Sequence, residues 1–304
     1  MKSFPSRPGS SSAPPLWVWC AAAAVFALLF FLSSSSFWDR RYNEKPFMED
    51  SRKRLEALSK RDKKGLRVIA IGSSLFRRGM LYDTKMEAFA KENGLEGLAF
   101  LRLTRHDSDI SNYEPFFDKV IAARPDIVLI ESDSLFYVRL PRDFYREYPD
   151  SLRRVLLKSL SAKSLVLPAA AAHELDSETD PPIPIEQLKA SHSHEAGLRN
   201  LKQRVPADPD RVDALLRKAA EAGVRIVILD MRREPGFEKL AGINTEQAAA
   251  LLKGIPEEYG VRLTSQPGEL GREYYWDYAH LNEDGRLRFS LWLVSVLRGM
   301  ETRL

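Results

Sequence analysis

The sequence predicts an α/β fold: a three-layer α/β/α sandwich with a mainly parallel sheet, preceded by one apolar helix. Short β-branched runs alternate along the chain with segments whose apolar residues recur at helical spacing. Strands in such a rhythm are joined by crossover helices, which makes their pairing parallel and covers both faces of the sheet. The length of 304 residues, 44% of them hydrophobic, is enough for one large domain of this kind.

The predicted elements begin with a buried strand over 66–71, which ends at Gly72. A helical pattern over 75–93 follows and stops near Asn93-Gly94, where a glycine is typical of a helix end. The remaining strands are predicted at 97–103, 126–130, 224–229 and 260–264, and the remaining helices at 114–123, 205–222 and 285–297. The alternation stops at about 140–205, which we interpret as a helical insertion with a proline-rich loop beside the site.

The segment 16–32 carries no charged residue. At about 1.5 Å per residue it reaches roughly 25 Å, near the lower limit for a membrane span. Trp17, Trp19 and Trp38 flank it as interfacial anchors do. We interpret it as a single transmembrane anchor. A cleaved signal peptide, with Ser33-Ser34-Ser35-Ser36 offering small residues for cleavage, and a buried soluble helix are the alternatives.

The regions around this segment complete the predicted organisation. Residues 1–15 are rich in serine and proline and are expected to be disordered. Residues 33–65 form a highly charged juxtamembrane linker with a short helix, and the domain spans 66–304. Both leading interpretations of the apolar segment place the domain outside the cytoplasm, in the periplasm or the extracellular space.

Charge and cysteine content exclude several classes of protein. The net charge is only +4, and basic and acidic residues are interleaved without a basic stripe, so nucleic-acid binding is not expected. Cys20 is the single cysteine, which excludes an intrachain disulfide and a multi-cysteine metal site. His192 and His194 lie in a polar, proline-flanked segment typical of a surface loop. No metal and no cofactor is expected.

Two short motifs carry the candidate chemistry. Ser74 follows Gly72 at the end of the first predicted strand, where a tight turn into a helix places a hydroxyl at the carboxyl end of the sheet. Asp277 and His280 are three residues apart, just before the last predicted helix. If the motifs meet, Ser74 is a nucleophile, His280 its general base and Asp277 the group that orients the histidine. For the serines alone, an N-cap is the simpler interpretation.

With these motifs the chain resembles the SGNH, or GDSL, hydrolase superfamily over about residues 66–300. Ser74 is at the position of the family's nucleophile, and Ser73 stands where the family usually has aspartate. Asp277 and His280 match the family's C-terminal Asp-x-x-His. The resemblance implies ester hydrolysis or acyl transfer by a Ser-His-Asp triad, without metal or cofactor.

The sequence departs from the family at the groups that stabilise the oxyanion. The family's third strand is followed by Gly-x-Asn-Asp, whereas this chain has Glu131-Ser132-Asp133-Ser134. The backbone N–H of Ser74 is one candidate donor, and the hydroxyls of Ser132 and Ser134 or the side chain of Arg105 are candidates for the others. A carboxylate that faced the oxyanion would be repulsive. With these departures, the chain resembles the membrane-anchored SGNH-like proteins of extracellular acyl transfer. Proteins of that group work beside an integral-membrane O-acyltransferase.

Several polar and aromatic residues near the motifs are candidate substrate contacts, with a solvated or packing role as the alternative for each. They are Arg77 of the Arg77-Arg78 pair, Arg105, His106, Asp133 and Trp276.

The sequence thus predicts a membrane-anchored serine esterase or O-acyltransferase that acts on acyl groups, acetyl in particular, of a cell-surface polysaccharide. An integral-membrane O-acyltransferase is a candidate partner. The alternative, supported by the missing Asn block, is a catalytically weak SGNH-like module that binds glycan or partners in envelope assembly.

Overall fold

The computed structural model describes residues 14–41, 44–105, 108–138, 197–198, 201, 204–242, 250, 253–266, 268 and 270–302. The chain forms two compact units. The larger comprises Glu44–Asp143 and Pro168–Leu304 and contains every strand described below. The smaller comprises Met1–Asn43 and Phe144–Leu167, and within it the helix Leu16–Arg41 is described.

The helices are numbered in chain order. They are α1 (Leu16–Arg41), α2 (Glu44–Lys60), α3 (Ser74–Gly79), α4 (Asp83–Glu92), α5 (Ile110–Tyr113), α6 (Phe117–Ala122), α7 (Ser132–Phe136), α8 (Pro209–Glu221), α9 (Pro235–Ala241) and α10 (Glu283–Glu301). The strands are β1 (Arg67–Gly72), β2 (Ala99–Thr104), β3 (Ile127–Glu131), β4 (Tyr137–Val138), β5 (Val205–Pro206), β6 (Arg225–Asp230) and β7 (Arg262–Ser265).

A five-stranded sheet in the order β2-β1-β3-β6-β7 forms the centre of the larger unit. All of its neighbouring strands pair in parallel, as the alternating pattern predicted. Val68 of β1, for example, lies opposite Phe100 of β2 and Ile127 of β3. The chain reverses its direction of progress across the sheet after β2, so the carboxyl ends of β1 and β3 flank a topological switch point, where α/β proteins form their sites.

Apolar side chains from alternate positions of the strands enter two separate cores, one on each face of the sheet. Ile69 and Ile71 of β1 pack with α2, α5, α6 and α8, whereas Val68 and Ala70 pack with α3, α4 and α10. Strands buried on both faces explain why their sequences are almost continuously apolar. The described residues therefore confirm an α/β fold with helices on both faces of a parallel sheet.

The N-terminal helices differ from the predicted layout. α2 was expected to be part of a charged linker, but its Phe47, Leu55 and Leu58 are buried in the core on one face of the sheet. The domain therefore begins before residue 66. Helix α1 covers the predicted anchor segment and continues to Arg41. Among the described residues, no helix is both long and apolar enough to cross a membrane.

The helix predicted over 75–93 is two helices, separated at Met80, whose backbone is extended. The cause lies in the tertiary structure. The buried guanidinium of Arg102, from β2, donates hydrogen bonds to the carbonyls of Arg77 and Met80, both at 2.6 Å. It satisfies carbonyl groups that a continuing helix would have bonded to its own backbone N–H groups.

Most of the predicted insertion at 140–205 lies outside the described residues. Its two ends are described, because Tyr137–Val138 pairs antiparallel with Val205–Pro206 in a two-stranded ladder. The helix predicted over 205–222 begins only at Pro209, after the N-cap Asp208, since the preceding residues belong to this ladder.

Gly72 is predicted to be intolerant of a side chain. A Cβ atom there would lie 2.7 Å from both Glu131 Oε2 and Phe76 Cγ. Gly72→Ala is therefore expected to lower the free energy of unfolding by about 1–3 kcal/mol, as overpacking of a core does. Chemical denaturation measures this. The matched control is Gly299→Ala on α10, where an added Cβ atom would meet no described atom within 4 Å apart from its chain neighbours and the backbone of its own helix, and a small gain in stability is expected. Equal stability of Gly72→Ala and wild type would contradict the prediction.

Candidate active site

Two segments that are far apart in sequence meet at the carboxyl edge of the sheet. Ser74 is the first residue of α3 and is separated from the end of β1 by Ser73 alone. Asp277 and His280 lie in the loop that precedes α10. Hydrogen bonds across its base hold this loop: the N–H of Trp276 donates to the carbonyl of His280 at 2.8 Å, and Asn282 donates to Tyr274 at 3.0 Å.

The three side chains form a continuous series of hydrogen bonds. His280 Nε2 lies 2.9 Å from Ser74 Oγ, and His280 Nδ1 lies 2.8 Å from Asp277 Oδ2. The second oxygen of Asp277 accepts from the backbone N–H groups of Ala279 and His280, both at 2.7 Å. The short loop thus holds the carboxylate and the imidazole in one orientation.

The charge state of Asp277 follows from these contacts. Burial acts to raise its pKa, but hydrogen bonding and attraction from His280, with the two backbone N–H donors, outweigh burial and lower the pKa below its ordinary value. The ionised Asp277 accepts a hydrogen bond from Nδ1–H of the imidazole, and in this tautomer Nε2 presents its lone pair to the hydroxyl of Ser74. This arrangement is suited to removing the serine proton.

The turn before Ser74 is held at the carbonyl of Gly72, which accepts three hydrogen bonds. The backbone N–H of Arg105 donates at 3.2 Å and the hydroxyl of Ser108 at 3.1 Å. The hydroxyl of Tyr113 is the third donor. These groups lie in and after the loop that follows β2, and they attach the end of β1 to the rest of the domain.

Glu131, the last residue of β3, holds the same turn from the other side. Its carboxylate accepts from the backbone N–H of Ser73 at 2.6 Å and from the Ser73 hydroxyl at 2.7 Å. The Ser73 hydroxyl in turn accepts from the N–H of Leu75, so Ser73 is the N-cap of α3. The sequence therefore places an N-cap serine and a candidate nucleophile next to each other.

Glu131 is fully buried, and its environment perturbs its ionisation. Burial, followed by the negative charge of Asp133, raises the pKa of Glu131 to about 7, although the hydrogen bonds from Ser73 and the charge of Arg233 act in the opposite direction. The carboxyl group that holds the nucleophile turn therefore changes its charge near neutral pH.

The hydroxyls of Ser132 and Ser134, predicted as oxyanion donors, are used inside the protein. Ser132 donates to Asp230 at 3.2 Å, and Ser134 donates to the backbone carbonyl of Ser108 at 3.2 Å. Both residues are buried on α7. Because a hydroxyl has one proton to donate, this structure does not arrange either as a donor to an oxyanion.

Asp133, a predicted substrate contact, is paired with two arginines. Arg204 donates to both of its oxygens at 2.5 Å, and Arg233 donates to one of them. Burial acts to raise the pKa of Asp133, but the charges of Arg233 and Arg204 outweigh it and hold the pKa well below its ordinary range. These two guanidinium groups balance the negative charge of Asp133.

The other predicted substrate contacts lie in different surroundings. Arg77 is on α3, one position before Arg78, and Arg105 directly follows β2. Trp276 is half-buried beside the histidine, with 6.4 Å between the indole and imidazole ring centres. His106 lies outside the described residues.

Sequence reasoning missed the residues that support the site. Glu131 had one available signal, a carboxylate at the end of an otherwise apolar strand. Arg204 and Arg233 had none, since they meet Asp133 across separations of 71 and 100 residues. Over the part of the chain that the structure describes, no group of three or more His, Cys, Asp or Glu side chains is arranged to hold a metal. His192 and His194 lie outside that part.

Comparison with known proteins gives structural likenesses only. No protein-family model and no curated protein matches the chain. The chain is similar to a GDSL-like lipase from Bacteroides thetaiotaomicron at 12% identity and a TM-score of 0.42, with 83% of this chain and 98% of that chain covered. It is also similar to the lipase/acylhydrolase from Enterococcus faecalis at 11% identity and a TM-score of 0.39, with 77% and 96% covered.

The raised pKa of Glu131 predicts a specific effect of pH on stability. The pKa is about 7 in the folded protein against an ordinary value of 4.5, so the folded state binds more protons between these pH values. The free energy of unfolding therefore falls as pH rises from about 4.5 to 7. In Glu131→Gln, the decrease in the free energy of unfolding with rising pH should be smaller than in the wild type by about 3 kcal/mol. Urea denaturation at pH 5 and pH 8 measures the free energy of unfolding of both proteins.

The control for this change of residue type is the same substitution at the exposed Glu56. Parallel pH profiles of wild type and Glu131→Gln would show that Glu131 does not titrate in this range.

Proposed function

We propose that this chain is a serine ester hydrolase or O-acyltransferase of the SGNH type. One observation carries the proposal: Ser74, His280 and Asp277 are joined by hydrogen bonds of 2.9 and 2.8 Å in the order that a catalytic triad requires. The location of Ser74 after β1, at the switch point of a parallel sheet, supports it.

In the first step, Ser74 Oγ attacks the acyl carbon of an ester while His280 Nε2 takes the hydroxyl proton. Asp277 stabilises the imidazolium that forms. When the tetrahedral intermediate collapses, the bond between the acyl carbon and the alcohol oxygen breaks, and the imidazolium gives its proton to the leaving alcohol. The product of this step is an acyl group bound to Ser74.

In the second step, His280 removes a proton from the acceptor, whose oxygen attacks the acyl carbon and displaces Ser74 Oγ. The serine recovers its proton from the imidazolium. Water as acceptor gives hydrolysis and a free acid, whereas a sugar hydroxyl gives acyl transfer and a new ester. The two activities differ only in which acceptor reaches the acyl-enzyme.

The oxyanion donor in this proposal is the backbone N–H of Ser74, which has no partner among the described residues. Because Ser132 and Ser134 donate elsewhere, the site offers less stabilisation than the sequence suggested. This observation favours a second candidate, a catalytically weak module that binds glycan or partners in envelope assembly.

The proposed substrate is an acylated, in particular acetylated, cell-surface polysaccharide, met by a domain outside the cytoplasm. The uncharged segment 16–32 supports a membrane anchor, and in α1 the side chains of Leu16, Trp17 and Phe26 are exposed. An integral-membrane O-acyltransferase is the proposed partner. This part rests on the apolar segment and on the resemblance of the motifs.

The triad predicts covalent labelling at one residue. A fluorophosphonate is expected to react with Ser74 of the full chain, since Oγ attacks phosphorus and fluoride leaves, and mass spectrometry locates the adduct. Ser74→Ala should abolish labelling and hydrolysis of an aryl acetate. Asp277→Asn should lower the hydrolysis rate by about 10⁴-fold, as removal of the orienting carboxylate does in serine triads.

The control is Ser295→Ala, which removes an exposed hydroxyl from α10 and should leave both reactions unchanged. Absence of labelling and of hydrolysis in the wild type would reject the triad enzyme in favour of the binding module.

The anchor makes a separate prediction. The full chain is expected in the membrane fraction, resistant to carbonate and released by detergent. Val25→Asp together with Leu28→Asp should move it to the soluble fraction, because charged groups are costly within the bilayer. The control places the same change on exposed leucines of α10, Leu287→Asp and Leu291→Asp. Carbonate extraction of the wild type would contradict the anchor.

A further inference from the structure

Arg78 lies on the same helix as the candidate nucleophile and one turn beyond it. Ser74 and Arg78 are separated by four positions on α3, which places them on one face of the helix. The buried Arg286 donates to the carbonyl of Arg78 at 3.2 Å and holds its backbone. The side chain of Arg78 is half-exposed, so a molecule from solvent can reach it.

The guanidinium of Arg78 is held against an aromatic ring that belongs to the other half of the site. Its central carbon lies 4.1 Å from the centre of the Trp276 ring, a cation–π contact. Trp276 is adjacent to Asp277 in sequence and tilted against His280 in space. The contact between Arg78 and Trp276 therefore joins the helix of the nucleophile to the loop that carries its base.

Arg78 differs from three other arginines, Arg204, Arg232 and Arg233, in its ion pairing. Arg204 and Arg233 are paired with Asp133, and Arg232 is paired with Glu238 at 3.2 Å. Among the described residues no carboxylate pairs with Arg78. A guanidinium that is supported on an indole face and has no carboxylate partner among the described residues is suited to bind a carboxylate or phosphate through two parallel hydrogen bonds.

We propose that Arg78, supported by Trp276, is a binding subsite for a negatively charged group of the ester substrate. The proposal rests on the proposed esterase function and narrows its substrate class to anionic esters, whose charge is a carboxylate or a phosphate close to the reacting bond. Arg78 binds the anion, and Trp276 limits the positions that the guanidinium can take. The predicted substrate contact at Arg77, the neighbouring residue, stays a prediction.

The test compares three acetate esters that differ in charge, with the full chain as enzyme. They are 4-acetoxybenzoate, 4-acetoxyphenyl phosphate and the neutral methyl 4-acetoxybenzoate. Arg78→Gln is expected to lower kcat/KM about tenfold or more for at least one anionic ester, and less than about twofold for the neutral ester. The anionic ester that loses more identifies whether a carboxylate or a phosphate is preferred. For each ester, kcat/KM of the variant is divided by kcat/KM of the wild type, so the different intrinsic reactivities of the three esters do not affect the comparison.

Two further variants separate charge from packing. Arg78→Lys should restore part of the preference, because it keeps the charge but not the planar pair of donors. Arg288→Gln is the matched control, since Arg288 lies 4.4 Å over Tyr274 in a similar cation–π contact but is an exposed residue of α10. It should change no ester by more than about twofold.

An equal loss for all three esters, or no loss for either anionic ester, would overturn the proposal. A wild-type chain that hydrolyses none of them would instead contradict the esterase function. The subsite is then tested by binding alone. Tryptophan fluorescence titration measures the affinity of Ser74→Ala for each anionic ester. At least one should bind about tenfold more weakly when Arg78→Gln is added, and unchanged binding of both would overturn the subsite on its own.

Discussion

Hydrogen bonds to the Gly72 carbonyl and to the Glu131 carboxylate hold the chain where it leaves β1, and the site depends on them. The donors to Gly72 follow β2, whereas Glu131 ends β3. Because β1 lies between these two strands, the turn is held from both sides by neighbours of the same sheet. There is room for this only because Gly72 has no side chain: a Cβ atom would lie 2.7 Å from Glu131.

The same constraint extends through α3 to the second half of the site. A helix of six residues has little stability by itself, so tertiary contacts must hold it. Ser73 caps its beginning, while the buried Arg102 and Arg286 donate to carbonyls near its end. Since Arg286 belongs to α10, the helix that follows the Asp277–His280 loop, this contact ties the nucleophile and its base to one another.

The fold was largely predictable, because its signals are local. Four of the five strands are mainly apolar runs, whereas β7 is mostly polar, and the parallel sheet followed from the alternation of strands with helices. The break at Met80 was not predictable, since the group that replaces the helical hydrogen bonds comes from β2. The start of the domain was misplaced for a related reason: α2 is highly charged, and only its packing shows that Leu55 and Leu58 are core residues.

The sequence by itself determined the parallel pairing of the sheet, the positions of its strands along the chain and the three residues that carry the candidate chemistry. Tertiary structure alone decided how those residues are used. It joined Ser74 to His280 across 206 positions, directed the Ser132 and Ser134 hydroxyls inward, and neutralised Asp133 with two distant arginines. The physical reason is that hydrophobic periodicity is a property of residues that are close in sequence. Hydrogen bonds and ion pairs instead depend on distances between side chains, which are fixed only when the chain has folded.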